Sequence, residues 1–185
     1  MTAALSIGLP GTTDRDFLRR LAPVIEERGY RALWLNDTPD GDALEGLAVA
    51  ASVTSTLGLG VGVIPLNRQP AETIVARVRE LDLPLDRLRL GVGPGPREGS
   101  IARLSAGLAA LHESLPVPVL VGALGPRMRE VSAWESEGIV FNWLPADVAS
   151  TEAHELRSAS NGRAKAVLYL RVITDPAARG ELAIE

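Results

Sequence analysis

Three apolar runs decide the reading of this chain: Gly60-Val61-Gly62-Val63-Ile64-Pro65, Leu90-Gly91-Val92-Gly93-Pro94-Gly95, and Val119-Leu120-Val121-Gly122-Ala123-Leu124-Gly125-Pro126. Each reads as a buried parallel strand, because a strand covered on both faces is apolar throughout instead of alternating. Each carries glycine toward its C-terminal end. Strand ends without side chains let a flat, phosphorylated molecule lie against backbone whose amides are free to donate. The pattern points to a cofactor on one face of a barrel.

Outward from these runs the alternation continues in both directions. Strands are expected at Leu5–Leu9, Ala32–Asn36, Leu59–Pro65, Leu88–Val92, Val117–Val121, Ile139–Trp143 and Ala166–Ile173. Helices are expected at Arg15–Arg28, Asp42–Thr54, Ala71–Leu81, Ser100–Glu113, Arg127–Glu135 and Ala146–Ser158, with Gly29 as a left-handed stop and Pro70 as a start. Strand and helix in turn, joined by short loops, imply right-handed crossovers and a parallel sheet. The expected class is therefore α/β, a TIM-like (β/α) barrel shortened to about seven strands where eight are usual. Residues 1–185 read as a single domain, incomplete at the C-terminus, whose missing unit needs cover from elsewhere.

Composition excludes several classes. The 185 residues are 46% apolar, enough for one core. A formal charge of −4, with Lys and Arg scattered, offers no stripe for nucleic acid. The chain has no cysteine and two histidines, so neither thiolate chemistry nor a protein metal site is expected. With no apolar run of about 18 residues and no basic leader at Met1, a cytoplasmic location is expected.

Individual residues carry two readings each. Gly122, Ala123, Leu124, Gly125, Pro126 and Arg127 form a strand-to-helix junction whose amides and partial positive charge suit a phosphate, with Arg127 as a clamp; the alternative is an ordinary tight loop with Arg127 exposed. Gly93 and Gly95 offer a second phosphate or ribityl contact, or only a turn. The run Gly91-Val92-Gly93-Pro94-Gly95 is not a dinucleotide fingerprint, because Pro96 and Arg97 follow where a third glycine would open a helix. His112 and His154 read as solvated helix residues. Trp34 and Trp143 read as core or pocket wall, and Trp134 as packed on the barrel.

Taken together, Leu5 to Gly11, Leu33-Trp34-Leu35-Asn36-Asp37, Leu57 to Leu66, Val119 to Met128 and Glu137 to Leu144 resemble the bacterial luciferase-like monooxygenase superfamily, and within it the flavin- or deazaflavin-dependent oxidoreductases. The resemblance implies FMN or coenzyme F-420 as cofactor, a small organic substrate and a homodimer. It implies that Gly62, Val63 and Ile64 form a third-strand bulge, with a cis peptide at Gly62–Val63, against the flavin ring; the alternative is a plain strand glycine. Asn36 and Asn142 would bond the ring's polar edge or serve turns. Asp37 would stand at the reactive edge, as the one weak catalytic candidate, or cap the helix near Asp42. Two departures matter. The usual insertion after the fourth strand is absent, which predicts a shallow, open pocket. Thr38 follows Asp37 where many deazaflavin-dependent relatives have a histidine, removing an acid–base group. The alternative to an oxidoreductase is a non-catalytic flavin-binding or remnant barrel acting as a partner subunit. Leu44, Leu47, Val49 and Val53 are expected to form the dimer surface.

Overall fold

The computed structural model describes residues 4–95, 99–122 and 125–172. Within them the chain runs β1 (Ile7–Pro10), α1 (Arg15–Glu27), β2 (Ala32–Asn36), α2 (Ala43–Ala51), β3 (Gly58–Pro65), α3 (Ala71–Glu80), β4 (Leu88–Gly93), α4 (Ser100–Ser114), β5 (Val119–Gly122), α5 (Pro126–Glu135), β6 (Gly138–Asn142), α6 (Ala146–Ala159) and β7 (Lys165–Tyr169). The seven strands pair in chain order, each parallel to the next, and curl into a half-barrel. Among the described residues β7 and β1 share no ladder, so the sheet is open and not a closed ring.

Local sequence explains the boundaries. Asp14 accepts from the Phe17 amide at 2.7 Å to start α1, and Gly29, at φ +75°, stops it while Tyr30 donates back to Ile25. Asp42 starts α2 in the same way, accepting from Glu45 at 2.9 Å. β1 begins two residues later than expected; Leu5 is 73% exposed, though its carbonyl still accepts from the Arg31 amide at 2.8 Å.

The main core lies between the sheet and its helices. Leu33, Leu35, Leu59, Val61, Leu90 and Val121 point outward from the strands and meet Leu18, Leu47, Ile74 and Leu108 from the helices, all at most 1% exposed. Burying side chains of this size contributes roughly 1.5–3 kcal/mol each. Leu44 and Leu47 belong to this core, at 2% and 0% exposure. They do not form the outer surface expected for dimer contact, because the apolar stripe of α2 faces the sheet.

A second, smaller cluster fills the inside of the curl: Ala32, Trp34, Leu120 and Val140, with Val63, Val167 and Tyr169 packed on them. Here the structure corrects the sequence reading. The glycine positions are not bare. Trp34 lies over Gly60, Tyr169 over Gly8 and Gly62, and the Val63 methyls over Gly91, Gly93 and Gly122.

Candidate functional site

The C-terminal ends of parallel strands form one rim, and the loops that follow them converge there. In β3 the ladder to β4 runs Val61↔Leu90 and then Ile64↔Val92, three steps against two, so β3 carries one extra residue. The Gly62–Val63 peptide within this bulge is cis. The extra residue turns both Gly62 and Val63 into the lumen and returns Ile64 to the outer core, fully buried and opposite Val92. Ile64, expected beside a ring, therefore turns its side chain toward the helices.

Gly93 follows Val92, which pairs with Val121 just before Gly122; Gly62, Gly93 and Gly122 thus share one rim and one face, gathered around Val63. A Cβ on Gly93 or Gly122 would stand 3.2 Å or 3.1 Å from Val63 methyls. Gly95 takes φ +78° and abuts the Asn67 side chain, so it shapes a turn as much as a surface. Gly125 is different: among the described residues nothing lies within 4 Å of where its Cβ would be. It is the N-cap of α5, without a side-chain cap, and Pro126 begins the helix. Among the described residues no side chain caps the first amides of α5, the kind of helix start that can accept an anion, and Arg127 is exposed in the same turn. Ala123 and Leu124 lie outside the described residues.

Asn36 and Asn142 end β2 and β6, both exposed. They share the strand parity of Trp34 and Val140, which places their amides over the lumen at the rim. Trp143, expected in the core or pocket wall, is 58% exposed, at φ +55°, beneath the Arg171 guanidinium at 6.0 Å. Trp134 is 61% exposed, beside a cleft of about 220 Å³ between α5 and α6 on the outer layer, away from the rim.

Asp37 has structural work. Its buried carboxylate accepts from the Ala43 amide at the start of α2, at 3.3 Å, from Gln69 Nε2 at 3.1 Å and from the Arg68 guanidinium, which also donates to the Asp37 carbonyl at 3.0 Å. Both oxygens are engaged, one by the Ala43 amide beside the Asp42 N-cap and the other by Arg68 and Gln69. Arg68 and Gln69 were missed in the sequence, since they stand 31 and 32 residues away. Their signal was position: both lie in the loop leaving the glycine-rich β3.

Tyr169 was missed too. It ends β7, meets Trp34 edge-on with ring centroids 6.3 Å apart, and has a buried hydroxyl. At the opposite end of the lumen Arg89 lies beside Gly58; burial first, then the neighbouring Arg31, lower its pKa from the usual guanidinium value.

A family model described as luciferase-like monooxygenase matches residues 3–113. Among solved structures the fold is similar to that of the monooxygenase RslO1 from Streptomyces bottropensis, with TM-score 0.78 and 16% identity over 98% of this chain and 76% of that one. It is similar to the coenzyme F-420 dependent tetrahydromethanopterin reductase from Methanopyrus kandleri, with TM-score 0.73 and 15% identity over 91% and 66%. It is also similar to riboflavin lyase RcaE, solved with modified FMN and riboflavin, with TM-score 0.68 and 12% identity over 92% and 62%. The chain spans between 62% and 76% of the length of these three.

Proposed function

The chain belongs to the luciferase-like monooxygenase family, and we propose that it is a flavin- or deazaflavin-dependent oxidoreductase acting on a small organic substrate. FMN or coenzyme F-420 would lie across the rim of the half-barrel. The observation that carries this reading is the start of α5, where, among the described residues, no side chain caps the helix and no atom lies within 4 Å of the Gly125 Cβ position.

The residues fit such a group. The α5 amides and the Arg127 guanidinium would hold its phosphate, because unsatisfied donors and a partial positive charge favour an anion there. Gly62 and Val63 would support the face of the ring, and Asn36 and Asn142 would bond its polar edge. The ring, when bound, supplies hydride or oxygen chemistry. The protein's part is orientation and exclusion of water, and Asp37, tied to Arg68 and Gln69, holds the rim loops in place instead of moving a proton.

The engagement of Asp37 favours a second reading, a barrel that binds the ring without turnover. The visible spectrum of the purified protein, with mass spectrometry of released ligand and titration with FMN and with the deazaflavin, separates the readings. Gly125→Leu is expected to weaken binding by about 1–3 kcal/mol by displacing the phosphate from the amides. His112→Ala, which removes only an exposed contact to Glu137, is expected to leave it unchanged. Binding followed by substrate-dependent reduction supports the enzyme, binding without reduction supports the second reading, and no binding of either ring overturns both.

A further inference from the structure

The lumen contains a hydroxyl that its own packing does not satisfy. Tyr169 lies against Gly8 and Gly62, where added Cβ atoms would stand 2.9 Å from Cε1 and 2.5 Å from Oη. The Trp34 ring stands across it at an interplanar angle of 83°. Tyr169 Oη is buried and has no hydrogen-bond partner among the described residues. The neighbours of its ring include two glycines and an indole. A buried hydroxyl without a partner is unfavourable, and phenylalanine would fill the same volume without that defect. Burial also raises the phenol pKa, so the group stays a donor at neutral pH.

The position of the hydroxyl is as informative as its lack of a partner. Tyr169 pairs with Asn142 at the rim, and its ring crosses the lumen to Gly62, the first residue of the β3 bulge. It therefore connects the polar edge of the proposed site with the wall that would carry the ring face.

We propose that Tyr169 Oη is a cofactor-binding group, donating a hydrogen bond to an acceptor atom, a carbonyl oxygen or ring nitrogen, on a flat heteroaromatic ring placed at the rim against the Gly62–Val63 bulge. This rests on the cofactor reading above. It adds one specific donor from β7, the last described strand, to a site that otherwise draws on the Gly62–Val63 bulge, the Asn36 and Asn142 amides, the start of α5 and Arg127.

Tyr169→Phe keeps the aromatic packing and removes only the oxygen. Wild type and variant are titrated with FMN and with the deazaflavin by quenching of ring fluorescence, and their thermal unfolding is recorded with and without ring. The expected result is a 3- to 10-fold loss of affinity, the size of one neutral hydrogen bond, together with a ligand-free variant that unfolds no lower than wild type. Equal affinities for a ring that wild type does bind would overturn this inference alone. A ligand-free variant melting several degrees lower would overturn it as well, because the hydroxyl would then have a protein partner. Failure of wild type to bind either ring would overturn the cofactor reading itself.

Discussion

The two faces of one sheet solve the same packing problem differently. On the helix side, space is filled position by position: Leu33, Leu59, Leu90 and Val121 each bring a branched side chain to an interface with facing helices. On the lumen side the sheet curves toward itself, side chains converge, and a few large groups take all the room. Trp34, Tyr169 and Val63 fill it, and the strands they cross carry glycine at Gly8, Gly60, Gly62, Gly91, Gly93 and Gly122. Glycine on a concave face is thus the complement of a bulky neighbour, whereas at Gly125, beyond the curl, no described atom lies within 4 Å of where a Cβ would stand.

The contrast has consequences of graded size. Leu59→Ala, on the helix side, leaves a cavity in a close-packed layer and is expected to cost about 2–5 kcal/mol in denaturant unfolding. Gly60→Ala, on the lumen side, drives a methyl into the Trp34 ring and is expected to cost about 1–3 kcal/mol. In a Trp34→Leu background that cost should fall below about 0.5 kcal/mol, and a cycle with additive effects would break the complementarity.

Polar groups sharpen the same contrast. On the helix side Glu26 accepts from the amides of Ser55, Thr56 and Leu57 at 3.0, 2.6 and 2.7 Å, whereas the lumen hydroxyl of Tyr169 has no such partner among the described residues. The Thr56 amide foremost, with the Thr56 hydroxyl and the neighbouring amides, holds the Glu26 carboxyl below its usual pKa of 4.5. Its contribution is therefore complete above that value and lost as pH falls through the lowered folded one. Glu26→Gln is expected to cost about 1–2 kcal/mol at pH 7, with the gap to wild type closing below about pH 4.5. Smallest of all, Gly125→Ala should change stability by less than about 0.5 kcal/mol, since the new methyl meets nothing.

Strand and helix order was legible because parallel strands buried on both sides write themselves as apolar runs, and because Asp14, Gly29, Asp42 and Pro70 punctuate them. The rim was legible from the glycines, and so was the bulge at Gly62 and Val63. What filled the lumen was not. The placement of Tyr169 on Gly8 depends on curvature that brings β7 toward β1, a contact across almost the whole chain. The outward turn of Ile64 depends on one extra residue in the β3 ladder, which a strict alternation count misassigns. The Asp37–Arg68 pair joins two loops that only the sheet order makes neighbours.

The central claim is that the rim holds a ring by its phosphate at the start of α5. Titration with FMN and with riboflavin, the same ring without phosphate, tests it most directly. The account predicts that FMN binds at least about tenfold more tightly, since the helix amides and Arg127 have nothing to hold in riboflavin. Equal affinities would contradict it.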